Sequence, residues 1–385
     1  MPTEHKKDEV SFRKRTRIDA YKKLVHVPSK VLLSQENRGG KEAMKQSMAI
    51  LLTVFVLFAV EAHAQVPGPL KLIQSIPLPD LKDGDFDHFQ VDLPGQRLFL
   101  AAEDNSAIEV IDLRTNKVVH KITGPKAPHS MAYNPDSKKL FVVDDGGPNQ
   151  VEIYDGTSFA FLGAIPMSAH ADASVYDPVS KLFYVGNGGR QAKQDFCLIS
   201  IVDTTTGKKV GDIRIDGADR VEAMAVEHSG PRMFVNLYSK GAVAVIDREK
   251  RAVTETWSIA QEGHNNGSMA FDEAGHRLFV HARDPGKVVI IDSDSGKIVT
   301  TLLSVGMVDD AVYDSKYKRL YVAGVPFINV FQKSGEGDRY DLLGQVPTAF
   351  HSITAILVPQ LNRYYLAVNH HGETDAVVQV YQVVP

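Results

Sequence analysis

Histidine and acidic side chains recur in this 385-residue sequence at a nearly constant interval. Six of them occupy the same position in successive repeats of the chain: Asp87, His129, Asp172, Glu222, Asp309 and His351. Imidazole and carboxylate groups are ligands of divalent cations, and the same groups serve as acid and base in hydrolysis. They belong to no local metal-binding or phosphate-binding motif, so only a fold that gathers the repeats around one point would make them a site.

The elements that would position these residues are visible as an internal repeat. Apolar triplets such as Leu98-Phe99-Leu100 recur seven times, with spacings of 42, 42, 51, 45, 42 and 44 residues. A second signature follows most triplets, as in Ile290-Ile291-Asp292, and several copies continue with a Gly-Lys pair. Asp and Gly are turn residues, so each unit is predicted to hold four short strands.

Seven such units predict an all-β fold, a seven-bladed β-propeller with four-stranded antiparallel blades. The last unit has only three predicted strands, the final one from Val377 to Val383, and an orphan strand from Leu70 to Pro77 precedes the first unit. We expect the N-terminal strand to join the last blade and close the ring, which leaves no exposed edge there. Residues 65–385 are therefore expected to form a single propeller domain.

The innermost strands of a propeller begin at one face of its central channel. We call the seven residues predicted to ring that mouth the crown: Asp87, His129, Asp172, Glu222, Gly267, Asp309 and His351. Two positions further along each strand lie mostly apolar residues, which predict a plug beneath the crown: Phe89, Met131, Ser174, Met224, Met269, Ala311 and Ile353. A slip of one residue in strand register would replace the crown by its neighbours, among them His88 and Asp310.

The six ionisable crown residues are the candidate metal ligands, and His129, Glu222 and His351 are the candidate catalytic residues. Mixed imidazole and carboxylate ligands fit zinc, manganese or iron, and calcium fits if the histidines do not ligate. The alternative is a polar channel mouth whose side chains are solvated or cap one another. Further candidates for ligand binding lie in segments predicted on the same face: His88, His264, Asn265, His281, Arg283 and His370.

Two of these segments have specific alternatives. His264 or Asn265 would take the place of the side chain that Gly267 lacks, or the glycine would mark an opening for a ligand. Arg283 would pair with a substrate carboxylate or form a salt bridge to Asp309 or Asp310.

Charge and hydropathy divide the chain near residue 64. Residues 1–64 hold 12 basic and 7 acidic residues, whereas the remainder has a net charge of -9, which disfavours nucleic acid as a partner. An apolar run from Ala49 to Val60 follows Lys45 and precedes Ala62-His63-Ala64, the pattern of a cleaved signal peptide over residues 44–64. Residues 1–43 are interpreted as a non-native or disordered extension. No stable membrane span is expected after cleavage.

The repeats resemble the YVTN family of bacterial seven-bladed propellers, and Tyr184-Val185-Gly186-Asn187 is the nearest copy of the motif that names it. A single Trp257 makes WD-type repeats a poor fit. The resemblance implies an exported protein, periplasmic or extracellular, with a binding role, and the wider group includes lactonases. Three functions stay open: a monomeric binder of a small molecule or an exported protein, a lactonase-type hydrolase, and a structural surface module.

Overall fold

The computed structural model describes residues 68–385 as seven four-stranded antiparallel sheets arranged as a propeller. The predicted extension and signal peptide lie outside the described residues. The N-terminal strand is β1 (Leu70–Pro77). The strands of blade one are β2 (Phe89–Asp92), β3 (Arg97–Ala102), β4 (Ala107–Asp112) and β5 (Lys117–Thr123). Those of blade two are β6 (Pro128–Asn134), β7 (Lys139–Asp144), β8 (Gln150–Asp155) and β9 (Phe161–Pro166).

The next two blades repeat this order. Blade three contains β10 (Ser174–Asp177), β11 (Leu182–Gly188), β12 (Phe196–Asp203) and β13 (Lys208–Asp216). Blade four contains β14 (Val221–Val226), β15 (Arg232–Leu237), β16 (Ala242–Asp247) and β17 (Ala252–Ser258). In blades one to six the strands pair in chain order, from the channel outward.

The last three blades complete the ring. Blade five contains β18 (His264–Asp272), β19 (Arg277–Asp284), β20 (Lys287–Asp292) and β21 (Ile298–Leu303). Blade six contains β22 (Met307–Asp314), β23 (Arg319–Val325), β24 (Phe327–Lys333) and β25 (Tyr340–Pro347). Blade seven contains β26 (Ala355–Val358), β27 (Arg363–Val368), β28 (Val377–Val383) and β1.

The helices of the described residues are four short 3-10 turns: Glu103–Asn105, Gly189–Ala192, Tyr238–Lys240 and Pro359–Leu361. Within residues 68–385, no helix has the length and apolar character needed to cross a bilayer.

The predicted closure by the N-terminal strand is confirmed. Strand β1 pairs antiparallel with β28, from Leu70 opposite Val383 to Pro77 opposite Val377. Each innermost strand also contacts the innermost strands of both neighbouring blades, including β2 against β26, so the ring is complete. The blades therefore face one channel with their first strands.

The hydrophobic core lies between the blades. Each of seven apolar clusters joins two neighbouring blades; one contains Phe99 of blade one with Met131 and Leu140 of blade two. Inner strands such as β3 are buried on both faces, which explains why the repeat triplets are continuously apolar. Cys197, predicted to be a buried thiol, is 1% exposed, and burial raises its pKa to about 12.

The Asp and Gly of the repeat signature form the outer turns. Asp203 accepts a hydrogen bond from the backbone N–H of Thr205 at 2.8 Å, and Asp292 accepts one from Ser295 at 3.0 Å. Gly207 and Gly296 follow with φ of 71° and 70°, a region where a side chain is strained. The signature recurs because the same turn is built repeatedly.

Candidate metal centre

The crown residues lie at irregularities in the innermost strands. The pairing between first and second strands shifts register at Pro128/Met131, Val221/Met224, Asn266/Ser268 and Val308/Asp310. In blade one, the carbonyl oxygen of Ala101 accepts a hydrogen bond from the N–H of Asp87, and the N–H of Ala101 donates to the carbonyl oxygen of His88. Asp87 and His88 therefore both lie opposite the single residue Ala101. Such bulges break the alternation of side chains along a strand and re-aim them. Neighbouring residues such as Asp87 and His88 can therefore both take part in one site.

Asp87, His129 and Asp172 form a buried group within the crown. One ligand atom from each lies within 4.8 Å of the others. Nδ1 of His129 contacts Oδ2 of Asp87 closely and lies 3.5 Å from Oδ1 of Asp172. The three residues come from blades one, two and three, so the propeller brings together groups that are far apart along the chain.

A second group shares Asp87 and adds His88 and Asp309, again within 4.8 Å of one another. Nε2 of His88 lies 3.3 Å from Oδ1 of Asp87, and its Nδ1 lies 3.1 Å from Oδ1 of Asp310. Carboxylate and imidazole donors of this kind suit zinc, manganese and iron. The crown thus presents two groups among the described residues that can hold a metal.

Two arginines contact members of these ligand groups. Nη2 of Arg220 contacts Oε1 of Glu222 closely and lies 3.5 Å from Oδ2 of Asp172. Nη2 of Arg283 lies 2.8 Å from Oδ1 of Asp309, which agrees with the predicted salt bridge to that residue. Glu222 is therefore paired with a cation and belongs to neither three-residue ligand group.

Burial and charge shift the protonation equilibria of these groups. Burial opposes the charge on His129, but the carboxylates of Asp172 and Asp87 outweigh it and raise its pKa well above the usual range. Burial likewise opposes the charge on His88, and Asp87 and Asp310 raise its pKa. Burial would raise the pKa of Asp172, yet His129, His170 and Arg220 hold it below the ordinary value. Two imidazoles thus carry positive charge beside the carboxylates.

Three carboxyl groups of the site shift the other way, and one of them is Asp309, whose pKa is raised by burial although Arg283 lowers it. Burial raises the pKa of Glu103 to about 8, against the opposing effect of His129. Burial also raises the pKa of Glu222 to about 8, although Arg220 lowers it. The crown holds more acidic groups than its cations neutralise, and protons compensate for part of the excess.

The remaining predicted residues lie outside these groups. Nδ1 of His351 is 2.8 Å from Oδ1 of Asp85, and Nδ1 of His370 is 2.5 Å from Oδ1 of Asp83. His281 is 1% exposed, and its Nε2 faces the carbonyl oxygen of Val305 at 2.8 Å. These imidazoles have protein partners of their own.

The space beside Gly267 in blade five is neither filled by His264 or Asn265 nor left as an opening, the two arrangements expected from the sequence. His264 is exposed at the start of β18, and Asn265 follows with φ of 58°. The guanidinium of Arg283 occupies the space beside Gly267: an added Cβ there would lie 2.5 Å from its Nε. The missing side chain is thus replaced from the neighbouring strand β19, because a long arginine reaches across the bulge.

Sequence reasoning did not select three residues that contact the crown: Glu103, Arg220 and His170. Nε2 of His129 lies 4.0 Å from Oε1 of Glu103, and Nε2 of His170 lies 3.8 Å from Oδ2 of Asp172. Glu103 opens the 3-10 turn after β3, on a loop between second and third strands. In a propeller those loops open on the face where the innermost strands begin, so the charged residues of these loops are the sequence signal that points to Glu103.

A separate groove lies at the periphery of the propeller, between blades three and four. It has a volume of about 600 Å³, and its lining includes Arg214, Lys240, Arg251 and the apolar Val253. None of the crown residues lines it.

Comparisons with known proteins support the fold. No family model matches the chain, and no curated protein matches it. A hydrazine synthase structure from Kuenenia stuttgartiensis is similar with a TM-score of 0.63 and 19% identity, covering 75% of this chain and 94% of that one. The structure of U3-55K gives 0.64 and 14% identity, with coverage of 81% and 99%.

A chain of a mitotic checkpoint complex structure gives a TM-score of 0.66 and 13% identity, covering 94% of this chain and 99% of that one. Similarity at this level of identity shows the seven-bladed propeller fold alone, since one fold hosts many functions.

Proposed function

We propose that the crown binds a divalent cation and that this cation recognises a small ligand at the mouth of the channel. The observation that carries the proposal is the buried group of Asp87, His129 and Asp172. Two carboxylates and an imidazole within reach of one point form a ligand set for zinc, manganese or iron. An oxygen-bearing ligand would then complete the coordination from the channel.

The electrostatics of the group suit a divalent cation. Two buried carboxylates face each other across a single imidazole, whose pKa they raise. Burying charge is costly unless it is compensated, and protonated His129 shares that compensation with His88 beside Asp87 and Arg220 beside Asp172. A divalent cation would bring two positive charges to the point where the three donors meet and would release the proton of His129.

The experiment measures bound metal in the full chain by mass spectrometry and Mn²⁺ or Zn²⁺ affinity by calorimetry. We expect stoichiometric metal in the wild type and at least tenfold weaker binding in Asp87→Asn and His129→Gln, since each removes one ligand. Matched controls are His276→Gln and Asp294→Asn, an exposed pair whose Nδ1 and Oδ2 atoms lie 3.0 Å apart. Absence of metal, or equal losses in the control variants, would refute the proposal.

A separate proposal concerns the location of the protein and its resemblance to a family. We infer that the protein is exported, on the support of the apolar run from Ala49 to Val60 and the resemblance to YVTN propellers. Expression in a bacterial host with fractionation is expected to yield a periplasmic or secreted species that begins at Gln65 by mass spectrometry. An intact N-terminus in the cytosolic fraction would contradict export while leaving the metal proposal untouched.

A hydrolase is the second candidate, and one observation favours it. Glu222 is a buried carboxyl with a pKa raised to about 8, beside Arg220 and close to Arg283. A carboxyl that titrates near neutral pH is suited to proton transfer, and an arginine can polarise a carbonyl. If the protein is a hydrolase, its rate of hydrolysis on a panel of lactones and esters should fall at least a hundredfold in Glu222→Gln. Turnover that is absent or indifferent to this substitution leaves binding as the function.

A further inference from the structure

We propose that the crown holds two divalent cations, bridged by the carboxylate of Asp87. The first is the cation of the proposed function, on which this inference rests, and the second lies on the other side of Asp87. Oδ2 of Asp87 faces Nδ1 of His129, and Oδ1 of Asp87 faces Nε2 of His88 at 3.3 Å. Each oxygen of this one carboxylate therefore belongs to a different ligand group.

One ligand-atom distance in each group is close to the spacing of donors around a bound ion. Donors bound to one small divalent ion at about 2.1 Å lie roughly 3.0–3.4 Å apart. Oδ1 of Asp87 and Nε2 of His88 are 3.3 Å apart, and Nδ1 of His129 and Oδ1 of Asp172 are 3.5 Å apart. Paired metal sites in hydrolytic enzymes have separations of about 3.5–4 Å, a span that one bridging carboxylate accommodates.

The imidazole of His88 is also held from behind by another carboxylate. Nδ1 of His88 lies 3.1 Å from Oδ1 of Asp310, and the other oxygen of Asp310 accepts the backbone N–H of Ala355 at 2.8 Å. A metal-binding histidine commonly directs its second nitrogen to a carboxylate, which fixes the ring and its tautomer. This arrangement occurs on the His88 side of Asp87, whereas Oε1 of Glu103 lies 4.0 Å from Nε2 of His129, beyond hydrogen-bonding distance.

Manganese titration of the full chain tests the proposal, because it reports both number and proximity. We expect two Mn²⁺ ions per chain by mass spectrometry and an exchange-coupled electron paramagnetic resonance spectrum. His88→Gln and His129→Gln are each expected to bind one ion and to show the six-line spectrum of isolated Mn²⁺. Asp87→Asn is expected to lose the coupling, since the amide cannot bridge two ions in the same way.

The outcomes separate this inference from the proposed function. One ion in the wild type that is lost in His129→Gln but retained in His88→Gln would overturn the second ion and leave the first. Two ions without coupling would overturn the bridge. No bound ion would overturn both proposals. The wild-type stoichiometry and spectrum decide the matter even if a variant fails to fold, and circular dichroism melting identifies such a variant.

Discussion

The guanidinium of Arg283 lies where a side chain at Gly267 would otherwise stand, with its Nε 2.5 Å from the position of an added Cβ. From that place it bonds to the carbonyl oxygen of Val308 and to Asp309, both at 2.8 Å. Gly267 thus leaves room in the crown for the guanidinium of Arg283. The positive charge of this guanidinium neutralises Asp309, a candidate metal ligand. Arg283 and a second metal ion would therefore compete for the same carboxylate.

Gly267→Ala is expected to displace Arg283 and to tighten Mn²⁺ binding at the group containing Asp309. The gain should be about tenfold, since removal of one nearby positive charge favours a divalent ion by about 1 kcal/mol or more. The free energy of unfolding should fall by about 1–3 kcal/mol, because Arg283 loses its hydrogen bonds to Val308 and Asp309. Calorimetric titration and urea unfolding measure the two quantities.

Gly68→Ala is the matched control, because an added Cβ there meets only the carbonyl oxygen of Leu70 at 3.9 Å. Gly68→Ala should alter neither the Mn²⁺ affinity nor the free energy of unfolding. Unchanged Mn²⁺ affinity in a folded Gly267→Ala variant would show that Arg283 does not restrain the site.

Much of the architecture could be predicted from the sequence because a propeller repeats one structural unit, the four-stranded blade. The period of the apolar triplets counts the blades, and the Asp-Gly turns separate their strands. The unpaired strand from Leu70 to Pro77 indicates how the ring closes, and its partner is Val377–Val383 as expected. Each of these features depends on local residue types that recur, so one sequence contains several copies of the signal.

The details of the crown were harder to predict because bulges alter side-chain direction locally. A regular strand would direct Asp87 and His88 to opposite faces, yet both belong to the ligand group that also contains Asp309. This arrangement has no recurring sequence pattern, because each blade places its bulge with different residues.

Closure of the ring by β1 predicts unequal effects of two substitutions in that strand. Ile76 is 1% exposed and pairs with Val378, whereas Leu72 is 46% exposed. Ile76→Ala should lower the free energy of unfolding by about 2–5 kcal/mol, because it removes buried methyl groups and leaves a cavity. Leu72→Ala is the control and should cost less than about 1 kcal/mol. Equal costs in guanidinium unfolding would mean that β1 contributes little to closure.

A buried ion pair links blades three and four away from the crown. Nη1 of Arg248 lies 2.6 Å from Oδ2 of Asp177, and the two side chains are 11% and 3% exposed. Arg248→Ala should destabilise the fold by about 3–5 kcal/mol, because it leaves a buried carboxylate without its main cation. Lys250→Ala, which removes an exposed lysine paired with Asp247, should change the free energy by less than about 1 kcal/mol. Urea unfolding of both variants checks the contrast, and similar values would contradict it.

His281 predicts a loss of stability in acid. Burial lowers its pKa to about 4, and only the nearby carbonyl of Val305 opposes this shift. Below pH 6.5 the unfolded chain binds a proton that the folded chain takes up only near pH 4, so stability falls over that range as the pH decreases. Between pH 7.5 and pH 5 the loss from this residue should be about 2 kcal/mol. His281→Gln should remove that part of the pH dependence in urea unfolding, while exposed His276→Gln should retain it. An unchanged slope in His281→Gln would show that the imidazole titrates normally in the folded protein.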